Sequence, residues 1–546
     1  MKSIWEENCK FDKREDLKGN IKTDILVIGA GIAGILTGYL LKQSGKEVVL
    51  IDKSETASGN TKCTTAKITS QHDLIYDKLI KEFGEEKAKQ YARANELAIK
   101  KYKEIIDERK IKCDFEEVDA YIYSLNEIDK IKEEVEAAKK LGIDAEFVEK
   151  INLPLEVKGT IKFNNQAQFN PLKFLKDISK DLVIYENTRA IKIDENLVHT
   201  DKGDIEANHI VVATHYPIMN APGYYFMKMH QERSYVIALE NADSIDGMYI
   251  DYEKQGYSFR NYKGLLLLGG ISQRTGENEN GGCYDALRKF AKEIYPNSNE
   301  KYHWSAQDCI TIDGIPYIGR YSDSTPNIYV ATGFNKWGMT SAMVSAMIIS
   351  DFILGNENDF SEIFSPKRFD LSLSINNIAN DMVETAKNFI AQKIYIPSSE
   401  IEHIKNGHAG IVEYNGEKVG VYKNKDQALL SFLWYTGDAG MYGTMEAYGL
   451  LEFVRDELFE LFDENDVRRS LYFNPENKAI RKFKDLPNSY GVLHFFPVSE
   501  MYLIEAESYA RNGQEGEARQ ALEEFQRHRI RNYQGYKGAD LLQEIM

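Results

Sequence analysis

The stretch DILVIGAGIAG, residues 24–34, decides the fold. Thr23–Ile28 closes on the unbroken apolar run Ile25–Ile28, of the kind a strand buried on both faces shows. Gly29, Gly31 and Gly34 follow it as G-x-G-x-x-G. Gly29 permits the tight turn, Gly31 removes a Cβ from the path of a diphosphate, and Gly34 lets the next helix pack closely on the strand. That helix runs to about Gln43, and the apolar run Glu47–Ile51 predicts a second buried strand. Asp52 stands at its end, 18 residues beyond Gly34, where a carboxylate can accept hydrogen bonds from a ribose diol. Strand, loop, helix, strand and terminal acid in this register imply dinucleotide binding, with the diphosphate at the helix N-terminus.

Further along, GNTKCTTAKITSQH (59–72) is a loop rich in small hydroxyl residues, and HIVVATHYP (209–217) ends a strand at Ala213 and Thr214. In residues 311–353 a strand at Asn327–Ala331 runs into a glycine-containing loop and then a helix starting near Gly338. A helix N-terminus at a flavin's N1–C2=O edge would stabilise the negative charge that develops there on reduction. One nucleotide domain assembled from three separated stretches is the layout of an FAD enzyme. Residues from about Tyr76 to Lys110 predict a long amphipathic helix or helix pair. Asp181–Ala213 predicts short strands with turns at Asn187 and 201–203, and Ser234–Gly270 predicts a hairpin turning at Asn261–Gly264.

The 546 residues carry a net charge of −17, which disfavours nucleic acid as a partner, and there is no local basic patch to compensate. No apolar window is long enough to span a bilayer, and the N-terminus lacks the apolar core of a secretory signal. Five scattered cysteines (Cys9, Cys63, Cys113, Cys283, Cys309) with no C-x-x-C pair fit reduced thiols, so a cytoplasmic location is expected. Composition breaks near residue 425. Before it stand 45 lysines and ten arginines; after it stand four lysines, nine arginines and no cysteine. Two segments of separate origin, joined near Lys425–Phe432, are expected.

The words SIWEE, VIGAGIAG, TTAKITSQH, ATHYP, HWSAQDCITIDGIPYIG and ATGFNKWGMTSA resemble the FAD-dependent D-amino-acid oxidase superfamily, in its glycine oxidase and DadA-like branch. The likeness covers about residues 3–390 and is greatest to bacterial oxidoreductases with a C-terminal Rieske domain. It implies an α/β fold with a Rossmann-type FAD-binding domain (23–215 and 305–365, with helical and substrate-side insertions at about 75–160) and an inserted mixed β-sheet substrate domain (216–304). An N-terminal extension (1–22) and a helical linker (366–394) complete this part.

By the same resemblance FAD is the cofactor, and Gly29, Gly31, Ile32, Ala33, Gly34, Asp52 and the neighbouring Lys53 hold its ADP half. Thr64, Thr65 and Ala66 lie along the diphosphate and ring, Ala190 near the adenine, and Ala213 and Thr214 at the strand end. Gly333, Phe334, Gly338, Met339 and Thr340 line the pyrimidine edge. The activity implied is hydride removal from the CH–NH of a small amine or amino acid, with hydrolysis of the imine and electrons passed to O₂ or a soluble carrier. Arg260 is the expected carboxylate anchor, since a guanidinium can grip a carboxylate bidentately. His72 is expected either beside the ring or as a hydrogen-bonded structural histidine. Lys336 would polarise O₂ or the flavin, or stand solvated in its loop. No metal site and no cysteine-linked flavin are expected.

Residues 395–426 resemble the opening strands of a Rieske domain, but with no cysteine after Cys309 they supply no Cys₂His₂ ligand set. Such a chain would be a flavoprotein with impaired electron transfer if it depended on that cluster. From 427 to 546, FDENDVRRSLYF (462–473), RKF (481–483) and the helical hairpin pattern 500–530 resemble the C-terminal part of SusD/RagB-type glycan-binding proteins. A helical tail is expected there, with glycan binding the unfavoured alternative for want of the rest of that family's sequence.

Overall fold

A computed structural model describes residues 3–368, apart from 8, 220–222, 226–227, 254–255 and 276–281, together with 409–414, 417–424 and 427–431. The chain divides into two units, residues 1–278 with 282–394, and residues 279–281 with 395–546.

In the first unit the apolar run becomes the strand Ile21–Ile28, paired in parallel with Gly203–His215 on one side and Val48–Ile51 on the other. Val183–Tyr185 extends this sheet beyond Val48–Ile51, and Thr325–Thr332 and Tyr317–Ser322 extend it beyond Gly203–His215. Gly29 has φ +110°, and a Cβ there would meet the Ala213 carbonyl oxygen at 2.5 Å; one on Gly34 would meet the Gly29 carbonyl oxygen at 1.8 Å. Strand-to-strand and helix-to-strand packing at this crossing therefore admit no side chain. The helix Ile32–Gln43 packs on the helix Gly338–Leu354, which is buried along most of its length.

A second, nine-stranded sheet runs in the order Asn299–Thr311, Met229–Glu240, Leu265–Arg274, Ser258–Tyr262, Met248–Asp251, Glu116–Ser124, Gly159–Gln168 and Lys67–Ile68, with Ala145–Val148 also on Gly159–Gln168. All its pairs are antiparallel except Met248–Asp251 with Glu116–Ser124. The expected hairpin forms at 263–264 with Lys263 and Gly264 both at positive φ. The Tyr76–Lys110 pattern becomes two helices, Tyr76–Phe83 and Glu85–Arg109, hinged at Gly84.

The second sheet takes four strands from residues 67–168, because the strand Glu116–Ser124 finds its parallel partner in Met248–Asp251 across more than a hundred residues of chain. The N-terminal extension is also an integral part of the core: Trp5 is fully buried, and Arg14 donates to the carbonyls of Leu182 and Ser179. No helix among the described residues is long and apolar enough to cross a membrane.

In the second unit Ala409–Tyr414, Glu417–Asn424 and Gln427–Ser431 form an antiparallel three-stranded sheet. The third strand lies beyond residue 426, where a helical tail was expected to start; the apolar run Ala428–Leu430 extends the sheet across the composition break. The expected linker helix and the SusD-like words lie outside the described residues.

Glu134, from the helix Asp129–Lys140, is fully buried and accepts hydrogen bonds from the Tyr76 and Asp77 amides at 2.8 and 2.9 Å, clamping the first turn of Tyr76–Phe83. Burial pushes its pKa up to about 7 despite the pull of those amides. A carboxyl raised on folding stabilises fully below its unfolded value, and that contribution disappears as pH rises through the folded value. Unfolding free energy should therefore decline between about pH 4.5 and 7, by up to about 3 kcal/mol from this group. Urea denaturation across that range should show the decline in the parent protein and a flatter profile in Glu134→Gln.

Candidate active site

Between the two sheets of the first unit lies a cavity of about 1110 Å³, larger than the roughly 300–1,000 Å³ of ordinary small-molecule pockets. One end is built by the glycine loop. Gly29, Gly31, Ile32, Ala33, Asp52 and Lys53 line it, with Thr188, Arg189 and Ala190 beyond. The Asp52 carboxylate accepts from the amides of Ala30 at 2.8 Å and Ser54 at 2.9 Å, which fixes its direction; burial still leaves its pKa raised. The Ile32 amide donates to Thr61 Oγ1 at 3.1 Å, and a Cβ on Gly31 would lie 3.3 Å from the same oxygen, closing the approach to the helix mouth. An open helix N-terminus bounded by small residues fits a diphosphate.

The other end is framed by Ala213, Thr214, Gly333, Phe334, Lys336, Gly338 and Met339. Gly333 and Asn335 both have positive φ. Asn335 fixes the loop by donating to Gly314 O at 2.9 Å and accepting from the Thr311 amide at 2.9 Å. The helix that starts at Gly338 has no side-chain cap, so its first-turn amides are left for a ligand at the cavity wall.

Joining the two ends is the strip Asn60–Thr65, held by side chains from three distant places. Trp304 Nε1 donates to Cys63 O at 2.9 Å, Trp5 Nε1 to Thr64 O at 2.8 Å, and Arg260 Nη1 to Thr65 O and Ala66 O at 2.6 and 2.7 Å. Asn60 bridges to the second sheet, donating to Asp308 Oδ1 at 3.0 Å and accepting from the Gln307 amide at 3.1 Å. Four consecutive carbonyls are thus satisfied by side chains, and Thr64 and Thr65 stand on the cavity wall.

This arrangement corrects the reading of Arg260. Its guanidinium is 1 % exposed, is spent on backbone carbonyls, lies over the Trp5 and Tyr262 rings, and does not line the cavity. A strand side chain on the packed face cannot anchor a substrate. His72 likewise stands behind the wall, as the structural alternative has it. Its Nδ1 is 2.7 Å from Tyr91 Oη, its Nε2 2.9 Å from Thr340 Oγ1, and its ring stacks on Trp337. Thr340 donates onward to Thr69 O at 3.0 Å, so it accepts from His72, which is the Nε2–H tautomer; burial holds its pKa down at about 3. Gly34, Ala66 and Thr340 also stand behind the wall, with packing and hydrogen-bonding roles.

Lys336 does reach the cavity. Its Nζ is 3.0 Å from Glu232 Oε2 and 2.7 Å from Ser272 Oγ. Glu232 is held at about 2 by its hydrogen bond with His230 and by Lys336. Tyr235 also lines this chamber, and residues missed by sequence reasoning complete it: Lys67, Asp73, Asp251, Glu253 and Asp308. Burial pushes Asp308 and Asp251 up to about 6. Lys67 and Asp73 lie within or beside the loop 59–72, so that loop was the available signal; the others come from the second sheet, whose register was not legible.

A family model described as FAD dependent oxidoreductase matches residues 24–352. The chain belongs to this family. Among curated relatives, the oxidoreductase is 36 % identical over 444 residues to the "Putative Rieske 2Fe-2S iron-sulfur protein YhfW" of Bacillus subtilis (strain 168), across 78 % of this chain and 87 % of that one. Its fold is similar to those of L-proline dehydrogenase from P. horikoshii (TM-score 0.55, 20 % identity, 65 % of this chain and 98 % of that one) and glycine oxidase from Geobacillus kaustophilus (0.55, 16 %, 64 % and 99 %). The cofactor is FAD, and the helix mouth, Asp52 and the pinned strip are the groups that fit it.

Arg260→Met would strand the Thr65 and Ala66 carbonyls at about 1–3 kcal/mol each. The expected result is a lower melting temperature together with at least tenfold weaker FAD binding, read by titrating apoprotein and following flavin fluorescence. An unchanged FAD affinity would show that the strip does not depend on this pin.

Proposed function

We propose that this FAD-dependent oxidoreductase removes a hydride from the carbon bearing the nitrogen of a small amine or amino acid, and that the imine formed is hydrolysed in water. FAD, when bound, supplies the hydride acceptor. The observation that carries the reading is a single cavity. It continues from the dinucleotide cradle into a small polar chamber bounded by Lys67, Asp73, Tyr235, Asp251 and Lys336.

The chain's own residues orient and enclose. The Gly338 helix start offers amides where negative charge would develop. Lys336, fixed by Glu232 and Ser272, places a cation at the same end of the chamber. Tyr235, Ser258 and Gly269 form the opposite wall. Arg260 and His72 stand behind the wall, whereas Lys336 reaches the cavity. The glycine oxidase and proline dehydrogenase names borne by similarly folded proteins accord with an amine substrate, and O₂ or a soluble carrier is the acceptor we propose.

Anaerobic addition of glycine, N-methylglycine, D-alanine and L-proline to the purified yellow protein tests this. Bleaching near 450 nm by at least one of them is expected. A flavin that every amine leaves oxidised, but that 2-hydroxy acids or glycerol phosphate bleach, would replace the reading.

A further inference from the structure

Lys67 stands out among the charged groups of the cavity. It follows directly on the pinned strip and begins the short strand Lys67–Ile68, which pairs with Gln168 and Ala167. It lines the cavity, and its Nζ donates to one backbone carbonyl, that of Tyr249, at 3.3 Å. Among the described residues no carboxylate lies within ion-pair distance of it. Lys336, by contrast, has Glu232 at 3.0 Å.

The groups presented by the surrounding elements explain this isolation. The Ser258–Tyr262 strand brings Arg260, a like charge that opposes protonation, and Tyr262, whose hydroxyl is taken by Asp114. Met248–Asp251 brings Tyr249, whose hydroxyl is taken by Asp246, and Asp251, which accepts from the Glu253 amide. Glu116 is hydrogen-bonded to Gln168, and His72 is neutral behind the wall. Asp73 lies on the cavity wall toward Lys336. An ammonium that faces the cavity half-buried, with one carbonyl partner, no counter-ion and the Arg260 charge nearby, is poorly stabilised, and the group responds by losing its proton more readily. Burial and the Arg260 charge accordingly bring Lys67 down to about 7.

We propose that Lys67 is the base that takes the proton from the substrate's ammonium group, its uncharged Nζ being held on the cavity wall by the Tyr249 carbonyl. The inference rests on the amine reading above. The step is a proton transfer: the substrate N–H bond breaks, its electron pair stays on the substrate nitrogen, and a new N–H bond forms on Nζ. An ammonium has no lone pair with which to assist hydride departure from the adjacent carbon, whereas the free amine has one. The base is thus needed wherever the substrate arrives protonated, which for an alkylamine means below about pH 10. Lys67 touches the substrate in this scheme and is a catalytic residue.

Two measurements test it, one independent of turnover. Competitive labelling with acetic anhydride over pH 5–11, quantified by peptide mass spectrometry on the FAD-loaded protein, should give Lys67 a midpoint near neutrality while exposed lysines titrate near 10. Anaerobic flavin reduction by whichever panel amine is active should lose about 10²-fold in rate constant at pH 7 in Lys67→Met. That loss should disappear toward pH 10, where the amine deprotonates itself. Lys67→Arg should not rescue the rate at pH 7, since it restores charge without a lone pair.

A labelling midpoint near 10 overturns the inference and leaves the amine reading standing. So does a Lys67→Met enzyme with the parent's pH profile, or rescue by arginine. A chain whose flavin no amine bleaches overturns the amine reading and the proton transfer together, whatever the labelling midpoint, whereas a failure of the proton transfer alone leaves bleaching intact.

Discussion

The row of backbone carbonyls from Cys63 to Ala66 is the constraint on which the ring-side half of the cavity depends. A strip lining an interior cavity has its outward carbonyls buried against protein, and each needs a donor. Here the donors are two indoles and a guanidinium, delivered from residues 5, 260 and 304. These long, planar side chains reach across from the N-terminal turn and the second sheet. They give the strip a fixed path that its own hydroxyl residues could not impose. A cavity so assembled forms only when distant segments have docked, which is expensive in loop-closure entropy. Cofactor binding to the finished state repays part of that cost by mass action.

The same logic separates residues that touch a ligand from those that hold the residues that do. Arg260 and His72 have the chemistry of active-site groups, yet Arg260 Nε and Nη1 are engaged with backbone carbonyls and both His72 ring nitrogens with hydroxyls behind the wall. His72 links Tyr91 to Thr340 and lies flat on Trp337, so it positions the loop that precedes the Gly338 helix. Packing density decides such cases, since a buried cation on the packed side of a strand is satisfied by its neighbours or not present at all.

The Rossmann half was legible because its signals are local. Glycines that admit no Cβ, apolar runs of strand length and an acid at a strand end each report on a few adjacent residues, and Gly29, Gly34 and Asp52 stand where that reading places them. The N-terminal turn and the second sheet's membership were less legible, since they depend on pairings across long separations. The parallel pairing of Met248–Asp251 with Glu116–Ser124 leaves no trace in either segment alone. A guanidinium's chemistry pointed to Arg260 as an anchor, but residue type does not disclose which side of a strand faces a cavity. Lys67 lies inside TTAKITSQH, where a lone lysine looks solvated until its surroundings are known.

Charge balance in the chamber ties these threads together. Asp73, Asp251, Glu253 and Asp308 line it against Lys67 and Lys336, and Lys336 is already neutralised by Glu232. With Arg260 spent, no guanidinium among the described residues offers the ring-side chamber a bidentate grip on a carboxylate. The chamber is thus poorly suited to hold an anion by charge alone and well suited to a group that enters as a cation. Two of its carboxylates are pushed up to about 6, so its negative charge grows as pH rises through that value. A protonated amine would be drawn in most strongly where those acids are ionised, the same range in which an unpaired lysine can relieve it of its proton. Recognition of the charged form and conversion to the neutral one would then be served by different walls of one chamber.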